Sequence, residues 1–409
     1  MSEVESTPQT PTHAPTGTAN VPGRPMPRAV VLLLSISTGL SAASLYYAQP
    51  LLDAIRHTLH MGPAGASAIV AISQAGYVVG LLFLVPLGDL VERRRLSVTM
   101  TLASAGALVL MATATSALLL TVAALVVGIL SVTAQMQVAF TATLAPAHQR
   151  GQVVGTVMSG LIIGVLLART AAGALASLGG WRLVFWVAAG LMLILAPTLR
   201  AALPASPSTT TMRYGQVLTS AFTLLRREPV LRLRAAYGGL AFAIYSVLWT
   251  PLALMLAARP FHYSAGVIGL FGLAGVAGAM AARVAGRFAD RGHTSQLTTA
   301  CAVLLVLSWI PLALGQRSLT ALLAGIVVLD LAVVAMHITN QSEIYRLSSQ
   351  ARSRITSAYM SMYFFGGVVG SSLASLLYTQ HGWSGVSVLG AGLGAVVLAL
   401  RLTVGRLAR

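Results

Sequence analysis

The chain has no lysine, a single cysteine and only nine acidic residues among 409, and each shortage closes off a class of function. Without lysine there is no Walker A motif, which excludes an ordinary P-loop ATPase. Cys301 stands alone, so neither an intrachain disulfide nor a CxxC metal site can form. Charged residues make up 9% of the chain, against roughly a quarter in a soluble globule, while hydrophobic residues reach 56%. With a mean hydropathy of +0.81, the chain is too apolar to be covered by water. It reads as an integral membrane protein.

What the chain has is apolar length. The hydrophobic residues come in runs of about twenty, enough for a helix to cross ~30 Å of hydrocarbon. Runs fall at 29–52, 66–88, 97–115, 117–144, 153–177 and 181–200, then at 230–257, 264–286, 297–315, 319–343, 355–378 and 384–404. The expected fold is an all-α membrane protein: twelve transmembrane helices in two pseudo-symmetric six-helix bundles, 29–200 and 230–409. Between them, 201–229 carries Pro204, Pro207, a Ser/Thr cluster and Arg226-Arg227, which suits a central cytoplasmic linker. Residues 1–28 lack the apolar run of a cleavable signal and read as a disordered cytoplasmic tail rich in Thr, Pro and Ala.

A formal charge of +17 could suit a nucleic-acid binder, but the 26 basic residues, all Arg, are scattered over short loops rather than gathered on one face. No nucleic-acid partner is expected. Their placement sets orientation instead. With a cytoplasmic N-terminus, 21 arginines lie on the cytoplasmic side and Arg56, Arg182, Arg259 and Arg317 on the other, while Arg169 falls within a span. That bias predicts both termini in the cytoplasm.

The chain also repeats itself. Arg150, Met158, Ser159, Gly164 and Gly180-Trp181 recur 202 positions later as Arg352, Met360, Ser361, Gly366 and Gly382-Trp383. Asp89 and Asp290, like Pro50 and Pro251, lie 201 apart. Two related apolar halves enclose a cleft that can open to either side, which points to transport.

The loop after the second span of each half carries a family resemblance. Val85-Pro86-Leu87-Gly88-Asp89-Leu90-Val91-Glu92-Arg93-Arg94-Arg95 and Gly286-Arg287-Phe288-Ala289-Asp290-Arg291 resemble the signature Gly-x-Leu-Ala-Asp-Arg-x-Gly-Arg-Arg of the major facilitator superfamily. The Arg triplet and the offset to Asp290 align Asp89, not Glu92, with the signature aspartate; Val85, Leu90 and Glu92 depart from the pattern. Two further fragments, Leu45-Tyr46-Tyr47-Ala48-Gln49-Pro50-Leu51-Leu52 and Leu166-Leu167-Ala168-Arg169-Thr170, resemble a bacterial branch related to drug and metabolite exporters. The Gly-Pro pair that exporters often carry in helix 5 is missing, so the export signature is incomplete. The resemblance implies a multi-pass protein of the bacterial cytoplasmic (inner) membrane, functional as a monomer, with helices 1, 4, 7 and 10 lining a central cavity. It also implies a cytoplasmic latch, formed by Gly88, Asp89, Arg93, Arg94 and Arg95 with Gly286, Asp290 and Arg291 as its counterpart.

Ionisable groups inside spans are functional candidates because they are costly there. Asp330 and Arg169 qualify. Asp330, His337 and Gln341 stand at i, i+7 and i+11, within about 40° of one another on a helix. Asp330 is expected to hold a proton or a substrate cation with His337 assisting, unless a neighbouring hydroxyl merely satisfies it. Arg169 is expected to pair with Asp330, to hold a substrate anion or to bridge the seam between the halves. Tyr46 and Gln49, spaced helically with Asp53, join the candidate pathway, as do Gln135 (beside Ser131 and Gln137) and the i, i+4 pair Tyr245 and Trp249. No His pair has metal-ligand spacing, and no cofactor or metal is expected.

The function expected is secondary active transport of a small organic solute by alternating access, as proton-coupled efflux. The alternative is a solute–proton symporter for uptake. A membrane-embedded enzyme would need clustered carboxylates or metal ligands at one membrane face, which nine acidic residues do not supply. Expected partners are the solute, protons and the lipid bilayer.

Overall fold

The protein is represented by a computed structural model. It describes residues 26–146, 149–206, 214–275, 288, 293–344, 346–347 and 352–407. Nearly all of the expected tail lies outside these residues, as do Gly286, Asp290, Arg291 and the side chain of Asp89. Every regular element described is a helix: α1 (Arg28–Ala43), α2 (Leu52–Thr58), α3 (Pro63–Phe83), α4 (Leu87–Leu90), α5 (Arg93–Ala112), α6 (Ala117–Ser131), α7 (Thr133–Leu144), α8 (Arg150–Ala202), α9 (Tyr214–Arg227), α10 (Pro229–Ala257), α11 (Ala265–Leu270), α12 (Thr294–Leu307), α13 (Trp309–Ala313), α14 (Leu319–Ile344) and α15 (Arg352–Leu407).

Eight helical segments are long and apolar enough to cross a membrane. Two of them are double. At 53 and 56 residues, α8 and α15 would each measure about 80 Å if straight, far beyond the hydrocarbon thickness. Each folds at a glycine of the repeated Gly-Trp pair, Gly180 at φ 76° and Gly382 at φ 62°. Their ψ values of 173° and −151° complete a backbone region that is essentially glycine's alone. The neighbouring indoles pin both corners: Trp181 Nε1 donates to Thr58 Oγ1 at 3.2 Å and Trp383 Nε1 to the Leu312 carbonyl at 2.8 Å. Counting both double helices twice gives ten crossings among the described residues. The shorter apolar helices Arg28–Ala43 and Ala265–Ala274 fall in spans 1 and 8, in keeping with a twelve-helix fold.

The repeat extends to packing. A Cβ on Gly164 would strike the Gly39 carbonyl, and one on Gly366 would strike the Gly239 carbonyl. The same close approach thus joins spans 1 and 5 in one half and spans 7 and 11 in the other. A polar triad is duplicated too. Gln137 accepts from Thr38 at 3.2 Å and donates to Ser97 at 3.0 Å, while Arg234 donates to Thr298 at 3.0 Å and Asn340 at 3.5 Å. The second triad is charged, with Glu343 at 3.8 Å from Arg234.

Two features differ from the sequence reading. Span 1 is not one helix: α1 ends at Ala43, 44–48 turn, and the chain resumes through a short 3-10 turn, Gln49–Leu51, and α2. Pro50 explains the break, since its ring clashes with the carbonyl four residues back and it offers no N–H. Tyr46, Gln49 and Asp53 therefore do not share one helical face. The repeat mate Pro251 stays inside the continuous α10. In addition, the linker contains a helix, α9, tied down where Tyr214 Oη donates to the Phe83 carbonyl at 2.8 Å.

The halves meet along two seams. On one, α3 packs against α15: the Tyr77 and Phe364 rings lie 4.1 Å apart, and Gln74 accepts from Ser371 at 3.1 Å and donates to Ser246 at 3.4 Å. On the other, α8 meets α11, where Thr170 Oγ1 donates to the Gly269 carbonyl at 3.0 Å and Gly173 lies against Ala265 and Gly269. The cavity lies between these seams. Replacement of Gly382 by Ala is expected to cost on the order of 1–3 kcal/mol at the corner. Gly190→Ala, with nothing within 4 Å of the added carbon, should leave stability unchanged or slightly raised, and thermal unfolding of the purified protein in detergent compares the two.

Candidate functional site

A cavity of about 590 Å³ lies between the halves. Tyr46, Arg169, Tyr245 and Asp330 line it at the depth of the spans, and Val85, Arg93, Thr143 and Thr356 line it near helix ends. Those helix ends lie on the face that carries Arg28 and Arg401, opposite Arg56 and Arg182. Most of the wall is apolar.

Arg169 is only 2% exposed, and a guanidinium so placed must find partners within the protein. Its Nε donates to Gln49 Oε1 at 2.7 Å and its Nη2 to Tyr245 Oη at 2.6 Å. Its Cζ sits 3.9 Å from the centre of the Trp249 ring, with Tyr46 at 5.1 Å and Tyr245 at 5.6 Å. The charge is thus held by two neutral acceptors and by aromatic faces, whose negative quadrupole favours a cation. Gln49 reaches it because span 1 is broken: the 3-10 turn that Pro50 imposes carries that amide.

Asp330 is 3% exposed. Its Oδ1 accepts from Trp249 Nε1 at 3.1 Å. No nitrogen of Arg169 comes within 4 Å of its carboxylate. The two charges are instead joined through one indole, whose face carries the guanidinium and whose N–H carries the carboxylate. Of the alternatives for Arg169, direct pairing with Asp330 is therefore not what the structure holds. Its contacts do cross the seam, from Gln49 in one half to Tyr245 and Trp249 in the other.

The cavity collects most of the candidates from the sequence. Tyr46, Gln135, Arg169, Tyr245, Asp330, His337 and Gln341 all line it. Gln49 and Trp249 stand behind, buried at 3% and 4% and touching Arg169. Gln137 is not at the cavity but inside its own half, in the triad with Thr38 and Ser97. His337 Nδ1 lies 3.1 Å from Tyr359 Oη, and its ring is 4.6 Å from Tyr363.

Sequence reasoning missed the aromatic wall. Tyr363 stacks on Phe242 at 4.3 Å, and Phe242 meets Phe364 at 4.9 Å. A signal was available, since Tyr359 and Tyr363 repeat the i, i+4 aromatic spacing of Tyr245 and Trp249.

In the loop before α5, Arg93 Nε donates to the Gly88 carbonyl at 3.0 Å. Arg94 reaches the Leu203 carbonyl at 3.3 Å and Glu92 at 3.5 Å. Glu92 in turn accepts from the Ser206 amide at 3.4 Å. These contacts of Glu92 and Arg94 tie the loop to the start of the linker, just after α8. Among the described residues no group of three or more His, Cys, Asp or Glu could hold a metal ion.

The family model for the Major Facilitator Superfamily matches residues 34–352. The chain belongs to the major facilitator superfamily. It is 50% identical over 377 residues to the uncharacterized transporter YgaY of Escherichia coli O157:H7, covering 92% of this chain and 96% of that one. It is 28% identical over 383 residues to the inner membrane transport protein YnfM of Escherichia coli (strain K12), covering 92% and 89%. Its fold matches the crystal structure of a bacterial homolog to the human lysosomal transporter Spinster, with a TM-score of 0.78 at 13% identity, over 94% of this chain and 98% of that one. These relatives and this fold are those of membrane transporters and not of enzymes. Major facilitator transporters carry small-molecule solutes.

For a major facilitator protein with this cavity, Trp249 separates two contributions. Trp249→Phe keeps a ring face for Arg169 but removes the donor to Asp330, and should cost about 1.5–3 kcal/mol, as for a hydrogen bond to a charged group. Trp249→Leu also removes the cation–π contact and should cost about 2 kcal/mol more. Chemical unfolding of the purified variants in detergent measures both steps.

Proposed function

We propose that the protein expels a small organic solute from the bacterial cytoplasm in exchange for protons, by rocking residues 29–200 against 230–409 about the cavity. The observation that carries this reading is Asp330: a carboxylate 3% exposed, facing the cavity between the halves, with an indole N–H and not a cation as its partner. A carboxylate so placed can change protonation as the cavity changes sides, which is what coupling to a proton gradient requires. His337 and Gln341, about two and three helical turns further along α14 and also lining the cavity, continue a polar path towards the arginine-bearing face. The arginine bias supports that face as cytoplasmic, with both termini there, in the inner membrane. The 590 Å³ volume and its mainly apolar wall suit a drug-sized or metabolite-sized organic molecule, carried by a monomer.

The loop signature fits a latch that biases this exchange, with Asp89, Arg93, Arg94 and Arg95 on one side and Gly286, Asp290 and Arg291 on the other. Uptake by symport is the second reading, favoured by the absence of proline from the helix-5 stretch of α8 before Gly179, where exporters often carry Gly-Pro.

The deciding measurement compares solute accumulation in cells with and without the protein, before and after the proton gradient is collapsed. Lower accumulation that returns to the control level on collapse is the expected result for efflux. Higher accumulation would select uptake, and a broad solute panel with no gradient-sensitive difference would end the coupled-transport reading. In proteoliposomes, Asp330→Asn should reduce gradient-driven flux to the rate seen without a gradient. Flux that keeps its full gradient response in that variant would remove Asp330 from the coupling.

A further inference from the structure

Arg169 and Asp330 form a split pair. Both side chains are more than nine-tenths buried and both line the same cavity, yet they make no ion pair with each other. Trp249 is the spacer, with its ring face 3.9 Å from the guanidinium carbon and its N–H 3.1 Å from the carboxylate. The polar partners of Arg169 are neutral, Gln49 and Tyr245, and the hydrogen-bond partner of Asp330 is neutral too. Closing the gap between the charges would mean giving up the stacking, the indole hydrogen bond or both.

Two opposite charges one indole apart, facing a common volume, set a rule for what enters. A solute with one charge satisfies one side chain and brings a like charge near the other, which low dielectric makes costly. A solute with both charges a few bonds apart meets a partner at each end, and mismatched solutes are rejected by the end they leave unpaired. Beyond the charges, the wall offers the stacked rings of Phe242 and Tyr363, with Phe364 edge-on to both. That wall suits an apolar or aromatic body.

We infer that the solute is an amphipathic zwitterion, such as an aromatic amino acid or a short apolar peptide, with its carboxylate on Arg169 and its ammonium on Asp330. This names the solute class of the transport reading above and rests on it. The inference does not follow from the net charge of the chain. Among the charged side chains that line the cavity, Arg93 adds a positive charge near the helix ends, which by itself would favour a plain anion.

The test uses the full chain purified in detergent and three probes with one body: 4-phenyl-phenylalanine (zwitterion), its methyl ester (cation) and its N-acetyl derivative (anion). Binding is titrated calorimetrically without any gradient at about pH 6, where the amino group of the ester is protonated and the carboxylates of the other two probes are ionised. The amino acid should bind at least tenfold more tightly than either derivative. Arg169→Gln should remove the disadvantage of the ester, and Asp330→Asn that of the N-acetyl compound, a crossed pattern that a purely structural role would not produce. Equal or tighter binding of either derivative to the unaltered protein overturns the proposal, and so does no binding by any of the three. That comparison needs no variant to fold. Proteoliposome flux is measured separately: a tenfold preference without flux would sink the transport reading alone, and gradient-driven flux without the preference would sink the zwitterion.

Discussion

A guanidinium inside a hydrocarbon layer has to be satisfied by the protein itself, and here Arg169 draws that satisfaction from both halves at once. Gln49 comes from the broken first span, while Tyr245 and Trp249 come from α10 across the seam. The charged wall of the cavity and the contact of α8 with α10 across the seam depend on this one side chain, and Asp330 is bonded to the same indole. Lysine could not replace it. An ammonium is a strongly hydrated point charge that cannot lie flat on an indole while donating in two fixed directions. The complete absence of lysine from the chain is consistent with this need at residue 169, although it extends far beyond it.

The duplicated halves share a skeleton and differ where chemistry enters. Both fold at a Gly-Trp corner, both press spans together at a glycine, and both tie three helices with a buried polar triad. The charges break the pattern. At 202 residues' separation Asp330 corresponds to Gly128, where an added Cβ would strike the Ser73 carbonyl. In the first half that position serves close packing, and in the second it carries a carboxylate into the cavity. Arg169 corresponds to Ser371, which hydrogen-bonds Gln74 across the other seam. Each seam thus has its cross-half contact at the same repeat position, made by a charged residue on one side and a hydroxyl on the other.

Much of this was legible in the sequence because it rests on local rules. Apolar run length gives the spans, and helical spacing places Asp330, His337 and Gln341 on one cavity face. The Gly-Trp pairs mark the two corners. What was not legible depends on contacts between distant segments. Pro50 and Pro251 look equivalent in sequence, yet only the first breaks its span, because neighbouring packing decides whether a proline is absorbed. Gln49 was placed on a helical face and instead reaches Arg169 from a turn. The partners of Glu92 and Arg94 lie just after α8, at the start of the linker and more than 100 residues away. The helix α9 was hidden by composition: Ser, Thr and Arg make the linker look irregular, while Leu224 and Leu225 still reach the core.

The two seams differ in what separation would demand, and this bears on how such a cavity could change sides. Along α8 and α11 the contact is largely backbone on backbone, at Arg169, Gly173, Ala265 and Gly269. With little interdigitation of side chains, those surfaces can slide or part by small steps. Along α3 and α15 the contact is directional: Gln74 holds Ser246 and Ser371, and Ser371 accepts from Thr250 at 3.2 Å. Parting that network would leave buried polar groups unpaired, a cost of about 1–3 kcal/mol for each group stranded. Under alternating access the glycine surfaces can slide with little repacking, but parting that seam would also strip the buried Arg169 of Tyr245 and Trp249. The least costly movement therefore slides at the glycines and keeps both cross-half contacts. Arg169 stands at the start of that seam, so the side chain that ties the two halves there also faces the cavity.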